Sequence, residues 1–429
     1  MPFASFRSHV FAALLAAPVL LGNHALFAQD TSALTLDEAL RVAAGRSRQL
    51  VAEDAAVSAA REMAAAAREG PDPTLTVGVN NLPINGPDQF SLTRDFMTMR
   101  SIALTRELAH RDKREARGAR FEREAEAAEA GRTVALVDLQ RDTAMAWLER
   151  YYRERMQEVL TAERDQAALQ IEAADLAYRS GLGAQSDVFA ARVAVATIED
   201  RIAAAMRDQE IATVKLARWI GEVAARPLGE PPAMDAVSLR LADLDSELAH
   251  HPEIALMLRQ EEIARADVEV ARTEKRANWT VEVMYSQRGP DFSDMMSLNF
   301  SKPLQFHEKR RQDREVDARL AMAERMRAER EEETRAHVAD ARALYQGWQA
   351  NRQRLARYTS SLIPLSSERT TAAIAGYRSG KGSLNAVLEA RIGEIDAQLN
   401  YLDLEMETAE LWAQLNFLVP ANHGAAHDD

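Results

Sequence analysis

The residues that invite a chemical reading are two glycine-rich loops, a few histidines and a few methionines. Gly376-Tyr-Arg-Ser-Gly-Lys-Gly382 looks at first like a phosphate loop, whose amides and lysine would cradle a nucleotide. The spacing is one residue short, and Gly382 stands where Ser or Thr should follow Lys381 to hold magnesium. Gly181-Leu-Gly183-Ala-Gln-Ser186 lacks the third glycine of a dinucleotide loop. No Gly-x-Ser-x-Gly or His-Glu-x-x-His occurs. Among the nine histidines, His250 and His251 are adjacent and cannot share a helical face, while His423 and His427 sit in a ragged acidic tail. Met97 and Met99 lie two apart on one expected strand face, with Met295 and Met296 in the expected partner strand. Thioethers suit Cu(I) or Ag(I), but the same residues serve as plain apolar packing. The sequence therefore leads us to expect no catalytic residue, no cofactor, no metal site and no enzyme.

The elements that carry these loops are mostly helix. The chain has 429 residues, no cysteine, 53 basic and 66 acidic side chains, and a formal charge of −13. Zero cysteine removes disulfides, thiolate metal sites and lipid attachment through a thiol. An acidic balance argues against nucleic acid as a partner, because phosphate neutralisation needs basic surface. Hydrophobic residues make up 47% and charged ones 28%, which excludes disorder, and the abundance of Ala, Glu, Arg and Leu points to long helices.

Residues 1–28 read as a secretory signal: Arg7 and His9, the apolar run Val10 to Leu21, then small residues up to a cut after Ala28. An uncleaved anchor or a buried helix is the alternative. No later run of apolar residues is long enough for a transmembrane helix. Beyond the signal, the chain is either soluble or builds a barrel.

The rest is written twice. Tyr178-Arg-Ser-Gly-Leu-Gly183 recurs as Tyr377-Arg-Ser-Gly-Lys-Gly382, and Val188, Ala191 and Arg192 recur at the same offset as Val387, Ala390 and Arg391. Upstream, Ser101 to Arg106 matches Ser297 to Lys302, and Asp112-Lys-Arg114 matches Glu308-Lys-Arg310. Two matches in one order argue for a duplicated unit. The first repeat spans 29–228, with a lead-in helix from Leu36 to Glu69, strands about 74–82 and 96–105, and a helical hairpin with its tip at 180–184. The second spans 229–420, with a lead-in from Leu241 to Lys275, strands about 279–287 and 294–303, and a tip at 379–383; residues 421–429 form a tail. The two repeats are expected to interlock as one domain.

Between Arg132 and Ser180 there is no Gly or Pro, and Met145, Leu148, Tyr152, Met156 and Val159 recur at spacings of three and four. Val188, Ala191, Val195, Ile198 and Ile202 do the same after the tip, the seam of a coiled coil. A helix begun near Arg106 would run roughly 110 Å, longer than any compact globule is wide. Strand residues alternate: Leu75, Val77 and Val79 oppose Thr74, Thr76, Gly78 and Asn80. Trp279, Val281, Val283 and Tyr285 oppose Thr280, Glu282 and Ser286. Strands apolar on one side and small-polar on the other suit a transmembrane barrel, with Trp279 and Tyr285 as membrane-interface aromatics. They also suit soluble hairpins packed on a core. Four strands cannot close a membrane barrel, and open edges are not tolerated in lipid, so spanning strands require several copies; counting alone permits eight, twelve or sixteen staves.

A strand pair, long helix, Tyr-x-x-Gly tip and second long helix, duplicated behind a signal peptide, resembles the TolC-type outer-membrane efflux factors over about Leu34 to Pro420. Leu34-Thr-Leu-Asp-Glu-Ala-Leu40 looks like the family's start. Asn81-Leu-Pro83 and the stretch Phe90 to Arg100 look like its heavy-metal cation efflux branch. The resemblance implies a mainly α fold with a small β part. Duplicated helical hairpins would form a trimeric α-barrel tunnel, and four β-strands per chain would contribute to a 12-stranded transmembrane β-barrel in the cell outer membrane, above a periplasmic tunnel. It implies a passive channel that serves a periplasmic adaptor and an inner-membrane pump of the resistance-nodulation-division type, with heavy-metal cations as cargo. Gly181, Leu182, Gly183, Gly380, Lys381 and Gly382 would then be the adaptor-facing tips. Some relatives carry two acidic residues at the tunnel constriction; the matching positions are Ala386 and Glu389, so only Glu389 is a candidate. The branch often carries a lipidated N-terminal cysteine, which this chain lacks. The alternatives are the same channel exporting drugs or secreted polypeptides, or a periplasmic coiled-coil adaptor, which two hairpins and four amphipathic strands disfavour.

Overall fold

A computed structural model describes residues 33–237 and 251–418. The signal segment 1–28, the tail 421–429 and the start of the second lead-in lie outside these residues. The chain begins with α1 (Leu36–Arg46) and α2 (Arg48–Arg68). Thr35 caps α1 by accepting from Glu38 N–H at 3.2 Å, and Ser47 caps α2 by accepting from Leu50 N–H at 3.2 Å. The expected single lead-in helix is therefore two, because Ser47 leaves helical geometry to serve as a cap. Strands β1 (Thr74–Asn80) and β2 (Met99–Leu108) follow, then α3 (Arg111–Arg179), 69 residues and about 100 Å long. After the first tip comes α4 (Gln185–Ile220). The second repeat supplies α5 (Pro252–Glu274), β3 (Trp279–Gln287), β4 (Met295–Ser301), α6 (Gln312–Arg357), α7 (Ile363–Arg378) and α8 (Leu384–Asn416).

Two differences from the sequence reading have physical causes. β2 starts at Met99 rather than near 96, because Phe96, Met97 and Thr98 belong to the preceding loop. Asp95 accepts there from Met97 N–H at 2.8 Å, and buried Thr98 donates its hydroxyl to Asn81 O at 3.1 Å. Met97 and Met99 thus do not share a strand face. The counterpart of α3 in the second repeat is not one regular helix: a π turn, Tyr358–Leu362, separates α6 from α7. Pro364 has no N–H, and its ring crowds the carbonyl four residues back, so the helix widens there instead of breaking.

The four strands form one antiparallel sheet in the order β1-β2-β3-β4. Registers place Val77 opposite Ile102, Ile102 opposite Tyr285, and Tyr285 opposite Met296. The main core lies along the helices, not under the sheet. Trp147 is fully buried there and donates its indole N–H to Leu34 O at 3.2 Å. Leu34 in turn pairs with Leu228 in a parallel bridge, tying the segment just before α1 to the end of the first repeat. Ion pairs collar the junction of sheet and helices: buried Lys113 lies 3.0 Å from Glu274, Arg276 lies 2.6 Å from Asp112, and Lys275 lies 2.6 Å from Asp313. The first two join one repeat to the other. Among the described residues no helix is long and apolar enough to cross a membrane.

Candidate channel-forming surfaces

The sheet exposes its apolar face. Val77 is 73% exposed, Met296 77% and Phe300 62%, and Leu75, Ile102, Leu104, Trp279 and Tyr285 lie on the same uncovered side. Water penalises such an area at about 25 cal/mol per Å², and contiguous patches of this kind mark membrane or protein contacts. The opposite face is hydrogen-bonded and polar. Glu282 accepts from Thr105 Oγ1 at 3.1 Å and from Asn299 Nδ2 at 2.9 Å, and Asn80 donates to Ser101 Oγ at 2.9 Å. Apolar outside, polar inside and two unpaired edges, β1 and β4, describe one segment of a larger wall.

Trp279 begins β3 at the helix side of the sheet, with the Lys302 ammonium 5.3 Å from its ring centre. Tyr285 lies two residues from the other end, and its hydroxyl donates to Asp294 in the β3–β4 turn. Residues 81–98 fold back over that turn so closely that a Cβ on Gly289 would fall 1.9 Å from Thr93 O. Only glycine fits at that position.

The two tips are built alike. Gly181 and Gly380 take φ of 73° and 71°, the left-handed region that glycine enters without cost. Leu182 and Gly183 N–H both donate to Ala177 O, at 2.9 and 3.0 Å; Lys381 and Gly382 N–H both donate to Gly376 O, at the same distances. Leu182 is 87% exposed, and Lys381 is exposed beside Gly380 and Gly382. Ala174, Val188, Ala191, Leu384 and Val387 pack together just behind the turns, so both hairpins end side by side. Glu389 is exposed on α8, with Ala386 one turn before it, while Val387, Leu388 and Ala390 face the neighbouring helices. Ala386 offers no second carboxylate beside Glu389.

The family model whose description is outer membrane efflux protein matches residues 39–222. That segment is most of the first repeat. Solved structures extend the likeness to nearly the whole chain. The outer membrane protein VceC from Vibrio cholerae is 19% identical, covering 89% of this chain and 95% of its own, with a TM-score of 0.72. The Campylobacter jejuni CmeC outer membrane channel is 13% identical, covering 90% and 85%, with a TM-score of 0.73. CusC, studied for the conformational changes accompanying folding and transmembrane channel formation, is 14% identical, covering 89% and 91%, with a TM-score of 0.70. The fold is that of outer-membrane efflux channels. No curated protein matches the chain in sequence.

The structure also brings together residues that the sequence kept apart. His251, Glu253 and His337 place one ligand-capable atom each within 4.8 Å of the others. His251 precedes α5 and His337 lies in the middle of α6, so only helix packing makes them neighbours. Met296 lies on the exposed apolar face of the sheet, cross-strand from Tyr285.

Proposed function

We propose that this protein is the passive outer-membrane channel of a tripartite efflux system. The observation that carries the reading is the exposed apolar sheet face with two open edges at one end of a pair of long helical hairpins. A homotrimer supplies twelve strands, closes the barrel in outer-membrane lipid and leaves Glu282 and its neighbours facing water. The hairpins of three copies enclose a tunnel in the periplasm, and the tips at Gly181–Gly183 and Gly380–Gly382 meet a periplasmic adaptor coupled to an inner-membrane resistance-nodulation-division pump. Trp279 and Tyr285 sit at the membrane interfaces. The chain itself does no covalent chemistry; energy comes from the pump.

Heavy-metal cations are the proposed cargo, supported by the likeness of Asn81-Leu-Pro83 and Phe90 to Arg100 to the metal-efflux branch. Three copies of Glu389 would favour cations at the narrow end. Drugs or secreted polypeptides are the second reading, since the pump selects what enters.

Fractionation tests the channel directly. The protein should extract from outer membranes as an oligomer and give unitary conductance steps in planar bilayers. A soluble periplasmic monomer rejects the proposal. Deleting the gene and measuring growth on copper, silver, zinc, cobalt and common drugs assigns the cargo.

A further inference from the structure

We propose that His251, Glu253, Glu333 and His337 form a divalent transition-metal site, of zinc-like preference, that clips the start of α5 to the middle of α6. His337 Nε2 lies 2.7 Å from Glu253 Oε2 and 3.4 Å from Glu333 Oε1. Ligand atoms around a tetrahedral zinc ion with bonds of about 2.1 Å stand roughly 3.4 Å apart, so the Glu333 spacing already fits and the Glu253 carboxylate draws back by about 0.7 Å on binding. His337 Nε2 is sealed from solvent yet has no hydrogen bond of acceptable direction, despite the two carboxylates beside it. Close approach without directional bonding is what atoms converging on a shared cation show. Glu333 and His337 are four apart on α6, so one helical face presents both. His251 is 5% exposed, with its ring centre 4.8 Å from that of His337.

His251 presents its ring to His337 from just before α5. Its Nδ1 accepts from Glu253 N–H at 3.3 Å, a long contact that ligation through Nδ1 gives up. Arg141 on α3 does not compete for the carboxylates, because Asp138 and Asp142 lie 2.8 and 3.0 Å from its guanidinium. Two imidazoles and two carboxylates match borderline divalent ions such as Zn(II), not the soft Cu(I) that thioethers favour. Three of these ligand atoms already converge, and Glu333, 3.4 Å from His337 Nε2, would complete the set as the fourth, leaving no open position and making the site structural. It holds whether or not the chain is an efflux channel.

The test uses the full-length mature protein, solubilised in detergent, stripped with chelator and free of any polyhistidine tag. Titration with zinc chloride should show one ion per chain and a raised melting temperature. Zinc-edge X-ray absorption should show two imidazoles in the coordination shell. His337→Gln and Glu333→Gln should each weaken binding by more than about tenfold, since even loss of an outer-shell partner costs that much. A variant with His423 and His427 both changed to Gln should bind as the unaltered protein does. The proposal is overturned if the unaltered protein takes up no stoichiometric zinc, or if the His337 and Glu333 variants bind as tightly as it does. It is equally overturned if binding disappears with the tail histidines.

Discussion

Arg391 Nη1 lies 2.9 Å from Glu163 Oε2, both side chains largely buried, and this contact fastens α8 of the second repeat to α3 of the first. Arg391 is the repeat-mate of Arg192 in the sequence, yet Arg192 lies on an exposed part of α4. Duplication therefore supplied two arginines, and among the described residues packing of one hairpin on the other gave Arg391, not the exposed Arg192, a buried partner of this kind.

Glu163→Gln should lower stability by on the order of 1–3 kcal/mol, because it leaves the buried Arg391 guanidinium with only the more distant Glu394 carboxylate, 3.9 Å away. Thermal unfolding in detergent reads this out. Replacing both members together, Glu163→Leu with Arg391→Met, should cost clearly less than either single change.

The two sides of β1 should respond oppositely to charge. Val77→Lys puts an ammonium on the face proposed to meet lipid, at a cost of about 2–4 kcal/mol near the bilayer midplane. The oligomer should then fail to assemble in outer membranes. Thr76→Lys, one residue away on the polar face, should assemble normally and change single-channel conductance. Equal tolerance of both substitutions would remove the barrel.

At the tips, Gly380→Val forces a β-branched residue into positive φ, a strain of about 1–2 kcal/mol or more that loosens the turn. Leu182→Asp leaves the fold intact, since the side chain is 87% exposed. On the adaptor reading, Leu182→Asp should abolish efflux-dependent growth and adaptor cross-linking at unchanged melting temperature.

Glu389→Gln should reduce the cation preference of the channel, measured as reversal potential across a salt gradient. An unchanged reversal potential would place Glu389 on a face that ions do not pass.

Stability should fall with acid through His251. Its pKa lies near 6.5 unfolded and about 4 folded, so the unfolded chain binds the extra proton between those values. The histidine's contribution is complete above pH 6.5, is lost as pH drops towards 4, and changes no further below that. In chelator, His251→Asn keeps a side-chain acceptor before α5 and should flatten this part of the pH profile.

The sequence alone settled the duplication, the long helices and the two-faced strands, because each is written in local periodicity: Val188 to Ile202 in steps of three and four, Trp279 to Tyr285 in steps of two. The tips were legible for the same reason, since Gly181 and Gly380 satisfy a local demand for positive φ. Local signals blurred where a competing hydrogen bond decided the outcome. Asp95 holds Phe96 to Thr98 out of β2, and Ser47 divides the lead-in helix. Tertiary structure alone decided which charges meet. Nothing near Glu163 in the chain announces Arg391, and nothing near His251 announces His337, because helices of such length bring distant residues level only when their seams lock. It also decided which face of the sheet is bare: the alternation of Leu75, Val77 and Val79 fits a buried core equally well, and only the assembled chain, with its core drawn along the helices, leaves that face uncovered.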